Sequence, residues 1–123
     1  MAVTHSTAVR SALATEVLRL IDIDSLAGKL VFKDGTATVA VLTLSYPAAT
    51  ELDGELTFGT IASDFDAVAG TIDTFEITDN SGTVILEGSV TVLGGGGDIT
   101  LSGVVISNGD TVGVTELAYI ATA

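Results

Sequence analysis

At Gly28 the hydrophobic pattern of the chain changes period, and that switch limits the available folds more than any other feature. Before it, Val9, Leu13, Val17 and Leu20 recur at helical spacing, with Ala12 and Ile21 beside them and Arg10 and Arg19 elsewhere. After it, β-branched residues, Thr-rich alternation and Gly-centred breaks take over, as in short antiparallel strands. The spacing predicts one helix from Ser6 or Thr7 to about Ile21, capped by Ser6 or Thr4. Asp22, Asp24, Ser25 and then Gly28 end it, because short polar side chains compete for helical hydrogen bonds and Gly permits positive φ.

Seven or eight strands follow. Lys29 to Lys33 and Thr36 to Ser45 flank Asp34-Gly35, which predicts a tight type I′ hairpin, and Tyr46-Pro47 closes the second strand. Glu55 to Thr60 turns Leu56 and Phe58 inward, and Thr71 to Thr78 places Phe75 and Ile77 on one face. Thr83 to Leu93 carries Val84, Leu86, Val90 and Val92 on another face, after a turn at Asp79-Asn80-Ser81-Gly82. Ile99 to Leu101, Val104 to Ser107 and Thr111 to Thr122 complete the set, with Asn108-Gly109 as the last turn. In the final strand Val112 and Val114 have one parity and Leu117, Tyr119 and Ala121 the other, so a bulge is expected near Thr115-Glu116. Ala48 to Asp53 and Ile61 to Gly70 read as loops, the second with room for one helical turn.

This order predicts a mainly β chain: an antiparallel β-sandwich or flattened barrel of about seven or eight strands with one N-terminal α-helix covering an open edge or end. The 123 residues suit one domain, in which an arm and helix (1–27) pack on a β body (28–123). The start of the chain has no secretory pattern and no window reaches the ~20 apolar residues of a membrane span, so a soluble product without a membrane partner is expected.

Charge is divided along the same boundary. All four cations, Arg10, Arg19, Lys29 and Lys33, lie in the first 33 residues beside three acids, and the remaining thirteen acids follow with no Lys or Arg among them. Trypsin should therefore release residues 34–123 as one peptide. The formal net charge of −12 repels nucleic acid and anionic lipid, so no nucleic-acid partner is expected. Without cations to pair, most of the acids are expected to be solvated turn and face residues that serve solubility.

Catalytic patterns are weak. With no Cys, thiol chemistry and Cys-based zinc sites are excluded, and His5, the single imidazole, precedes the helix with no acid near it in sequence. Gly94-Gly95-Gly96-Gly97 leads into Asp98 and a strand, with no Lys-Ser or Lys-Thr pair, and reads as a flexible connection rather than a phosphate cradle. The carboxylate pairs Asp22/Asp24, Asp53/Glu55 and Asp64/Asp66 lack the sugar-stacking aromatics of a glycosidase groove, and neither Asp22-Ile23-Asp24-Ser25 nor Asp64-Phe65-Asp66 continues into the Gly and closing Glu of an EF-hand loop. No catalytic, cofactor-binding or metal-binding residue is singled out and no cofactor is expected; a weak Ca²⁺ site is the one ligand the acid surplus leaves open.

Hydrophobic residues make up 47% of the chain and charged residues 16%, more apolar surface than one small domain hides by itself. A homo-oligomer or lattice component is therefore expected, since low-charge Ala- and Val-rich faces suit obligate contacts.

Residues 4–22 (THSTAVRSALATEVLRLID), 28–45 (GKLVFKDGTATVAVLTLS), 87–102 (EGSVTVLGGGGDITLS) and 106–123 (ISNGDTVGVTELAYIATA) together resemble a group of small structural proteins encoded near the head genes of tailed bacteriophages. The segment from Pro47 to Gly70 lies outside the resemblance. What it implies is a non-enzymatic head decoration, cement or accessory protein on the outer capsid, made in the host cytoplasm, with the major capsid protein or other virion subunits as partners. A trimer suits three-fold lattice positions. Arg10, Arg19, Lys29 and Lys33 are then the candidate capsid or oligomer contacts. Two alternatives stand beside it: a tail, neck or fibre-attachment protein of the same particle, and a free carbohydrate-binding or adhesion β-sandwich.

Overall fold

The computed structural model describes residues 4–114 and 117–120. Helix α1 spans Thr7–Ile21, and Ser6 caps it by accepting a hydrogen bond from Val9 N at 3.2 Å. A 3-10 turn at Ile23–Ser25 follows. Ten strands come next: β1 Lys29–Asp34, β2 Ala37–Thr43, β3 Ala49–Leu52, β4 Glu55–Phe58, β5 Gly70–Thr71, β6 Thr74–Thr78, β7 Val84–Val92, β8 Ile99–Leu101, β9 Val105–Ile106 and β10 Ala118–Ile120. A five-stranded sheet in the order β2-β1-β6-β7-β8 curls into half a barrel, beside a three-stranded sheet β10-β4-β3 and a short β5-β9 pair. The chain is thus mainly β with one N-terminal helix.

Alternation places the core. On the concave side of the large sheet, cross-strand register aligns Leu42, Leu30, Ile77 and Leu86 in one row and Ala40, Phe32, Phe75 and Gly88 in the next. Leu30, Phe32 and Leu42 are wholly buried, and Leu56 and Phe58 close over them from β4. Gly88 has a steric reason: a Cβ there would lie 2.7 Å from the Phe75 ring. The helix shares this core, in which its Ala14 and Ile21 are fully buried.

Several expectations need correction. The helix turns Arg10, Ala14, Val17 and Ile21 toward the body, about a fifth of a turn from the stripe read in the sequence, so Val9 and Leu13 are left 44% and 41% exposed. The β1–β2 connection is the two-residue loop Gly35-Thr36, with positive φ at Gly35 alone; that is the pattern of a type II′ turn, not I′. Ala49–Leu52, expected as loop, forms β3, since pairing with β4 buries Ala49. No helical turn forms in 61–70. This segment instead runs beside β2, through the Thr43–Ala62 bridge and the bond from Val68 N to Val39 O. The expected Thr71–Thr78 strand divides into β5 and β6 at Ile72-Asp73, whose amides turn to Val104 O and Lys33 O. The bulge expected at Thr115-Glu116, and Ala121 and Thr122 of the last strand, lie outside the described residues.

The largest departure from antiparallel order is β8, which pairs parallel to β7 across only six connecting residues, far fewer than a helical crossover uses. The glycine run makes this reversal fit. A Cβ at Gly95 would approach Thr91 Oγ1 to 2.6 Å, and one at Gly97 would approach Thr91 N to 2.9 Å. Gly97 N donates to Thr91 Oγ1 at 3.0 Å, and the carboxylate of Asp98 accepts from Ser89 N at 3.0 Å. The run is a tight crossover pressed on its own strand, not a flexible link.

Candidate functional site

The acidic residues, expected to be solvated, have a structural use. Among the described residues, eight carboxylates accept hydrogen bonds from backbone amides: Asp22, Asp34, Glu51, Asp64, Asp73, Asp79, Asp98 and Asp110. Several of these bonds join distant segments. Asp34 Oδ2 accepts from Thr71 N and Asp73 Oδ1 from Gly35 N, each at 3.0 Å, so two carboxylates clasp the tip of the β1–β2 hairpin to the β5–β6 corner. Asp64 takes Val41 N on one oxygen and Asp66 N on the other, tying the 61–70 segment to β2. A carboxylate without a cation is stable here because an amide N–H supplies the positive end of a charge-assisted hydrogen bond.

Two of these acids have shifted acidity. Burial raises the pKa of Asp22, partly offset by Ala48 N, which donates to both carboxylate oxygens at 3.1 and 3.2 Å. Glu51 is lowered, first by the Ser11 hydroxyl at 2.5 Å and then by Gly54 N at 2.9 Å. It thereby ties the helix to the β3–β4 hairpin.

The four cations do not share one surface. Arg10 lies half-buried on the underside of the helix against the Gly54 turn, and its Nε is buried with no hydrogen-bond partner among the described residues. Arg19 lies on the opposite side of the helix and forms an exposed pair with Glu16 at 2.6 Å, which lowers the Glu16 pKa and raises that of Arg19. Lys29 and Lys33 stand on the convex face of β1, where Lys33 Nζ approaches Glu76 Oε1 at 3.5 Å.

Among the described residues the acids do not assemble a reaction centre either. The carboxylates of Asp22 and Asp64 are occupied by amides of other segments, Asp53 sits at positive φ in the β3–β4 turn, and His5 is exposed. Among the described residues, no group of three or more His, Cys, Asp or Glu side chains lies close enough to hold a metal ion. One cleft of about 330 Å³, lined from Thr100 to Gly103 and Thr111 to Val114, carries no titratable side chain.

A second cleft, of about 290 Å³, was not foreseen. It opens between the two larger sheets, with Phe58, Phe75, Ile77 and Tyr119 in its walls and Glu87 and Asp98 beside them. The one sequence signal for it was Gly88, a glycine inside an otherwise regular strand, which marks a close approach. Elsewhere large apolar side chains reach solvent, most fully at Leu52, Phe65 and Val105, each about three-quarters exposed.

Compared with known protein families, curated proteins and solved structures, the chain finds no match.

Proposed function

We propose that the chain is a non-enzymatic structural subunit of a tailed-phage virion, a capsid decoration or cement protein held on the outside of the head by the major capsid protein and by copies of itself. The observation that carries this reading is the division of the surface. Carboxylates cover it and have internal work to do, while apolar side chains stand out between them with few cations nearby. A −12 subunit belongs on the side of a shell away from the packaged polyanion. Its contacts then rest on apolar surface, with the uncovered flank of α1 at Val9 and Leu13 as the leading face.

The test is decoration of empty shells, read by co-sedimentation and by imaging of intact particles. Deleting residues 1–27 would remove Ala14 and Ile21 from the core, so point variants on the exposed flank are the cleaner probe. Val9→Glu with Leu13→Glu should leave the thermal midpoint within a few degrees of the parent and lower shell affinity at least tenfold. Unchanged decoration overturns this contact face, and a failure of the parent protein to bind shells overturns the reading. Hundreds of copies per particle mean the head, whereas six or twelve mean a tail, neck or fibre-attachment position.

A further inference from the structure

The second cleft lies where the β layers fail to close. β10 is the outer strand of its sheet, and β7 between Val84 and Ser89 pairs with β6 on one side only, because β8 covers just Val90–Val92. Among the described residues these two edges face each other across about 290 Å³, with Leu86 and Glu87 on one side and Leu117, Ala118 and Tyr119 on the other. Open strand edges carry backbone groups that an added strand can pair. The space is at the lower bound for small-molecule pockets and is the size for a side chain or two.

The charge at the rim specifies the occupant. Glu76 and Glu87 stand directly opposite across β6 and β7, a like-charge pairing that destabilises a sheet. Lys33 pairs with Glu76 at 3.5 Å and shares a convex-face depression with Glu87, but among the described residues no cation comes within ion-pair distance of Glu87. Asp98 adds a second carboxylate to the cleft, with one oxygen engaged by Ser89 and the other accepting no hydrogen bond among the described residues. We infer that this seam takes an extended segment of a partner protein, which adds a strand between β7 and β10, buries a bulky apolar side chain against Phe58, Phe75 and Tyr119 on the inner face, and, by strand alternation, sets a Lys or Arg on the outer face beside Glu87. This inference does not depend on the virion reading; it would hold for any binding partner.

The probes are three blocked hexapeptides, Lys-Leu-Lys-Phe-Lys-Leu, its Glu counterpart Glu-Leu-Glu-Phe-Glu-Leu, and Lys-Ser-Lys-Ser-Lys-Ser, titrated into the isotope-labelled full chain. The first should shift the amide resonances of Leu86, Glu87, Ala118 and Tyr119, and the other two should leave them in place. Glu87→Lys should weaken the first peptide at least tenfold with no loss of thermal stability, since Glu87 is exposed and faces another acid. Shifts scattered over the acidic turns, equal binding of the serine peptide, no binding at all, or an affinity unchanged in Glu87→Lys would each overturn the inference.

Discussion

If carboxylates hold the loops, the turn between β6 and β7 should depend on Asp79. This residue is 7% exposed, and its Oδ1 accepts Ser81 N and Thr83 N, each at 2.9 Å, while its own amide donates to Thr83 O. Asp79→Ala removes the acceptor from both amides. A hydrogen bond to a charged group contributes about 1.5–3 kcal/mol. Ser81 and Thr83 are exposed enough for water to replace part of it, so the lower end applies and the pair comes to about 3 kcal/mol. Asp79→Asn keeps an oxygen at the same place without the charge and should cost about 1 kcal/mol. For 123 residues the unfolding entropy is about 0.26 kcal/mol/K, so Asp79→Ala should lower the Tm by about 12 °C and Asp79→Asn by about 4 °C. Urea titrations at neutral pH with unchanged m-values give the free energies directly. An Asp79→Ala protein within 0.5 kcal/mol of the parent, or an Asn variant as damaged as the Ala variant, would show that the acid is decorative.

The glycine run separates a tight crossover from a slack linker. Gly95→Ala and Gly97→Ala put a methyl against Thr91 and should each cost about 1–3 kcal/mol by overpacking, whereas Gly96→Ala has open space and pays only for its positive φ, about 1 kcal/mol; equal, near-zero effects in thermal melts would mean slack. Asp22 and Glu51 should respond to pH with opposite sign. The folded pKa of Asp22 is raised, so its stabilisation is complete below the unfolded value of about 3.9 and declines as pH rises through the folded value. Asp22→Asn should therefore match or exceed the parent at pH 7, while Asp22→Ala, which orphans the amide of buried Ala48, should lose about 1–2 kcal/mol. The folded pKa of Glu51 is lowered, so its stabilisation is present above about 4.3 and is lost as pH falls through the folded value. Urea midpoints from pH 2.5 to 7 should then show Glu51→Gln converging on the parent at the acid end, and a constant gap between the two would refute the assignment.

The period switch at Gly28 was legible because helix and strand patterns are local, and α1 runs with its Ser6 cap as its spacing predicts. Which side of that helix faces the body was not, because Val9, Leu13, Val17 and Leu20 continue around the axis into Ala14 and Ile21, and only the position of the sheet selects among them. The parallel placement of β8 was hidden for a related reason: four glycines permit many paths, and the one adopted depends on Thr91 and Ser89, residues of the strand before the run. β3 was missed because Ala49-Thr50-Glu51-Leu52 has little strand propensity of its own and is ordered by Phe58, Thr57, Leu56 and Glu55 opposite it. The seam beside β7 depends on two edges more than twenty residues apart in sequence, so no local pattern reports it.

The partners of the acids are the part least visible in sequence, because a backbone amide has no letter of its own. Counting side-chain charges leaves thirteen acids after Lys33 with nothing to pair, whereas the structure shows seven of them closing loops through amide donors. These seven acids therefore find donors without Lys or Arg, and the scarcity of cations leaves the outside anionic almost throughout. Like copies then repel at a distance, and any contact they make must be apolar and close-fitting or must draw its cations from another chain. Both routes are present on this surface: the first at the uncovered flank of α1, where Val9 and Leu13 lie free of the body, and the second at the seam, where Glu87 faces Glu76 with Lys33 serving only one of them.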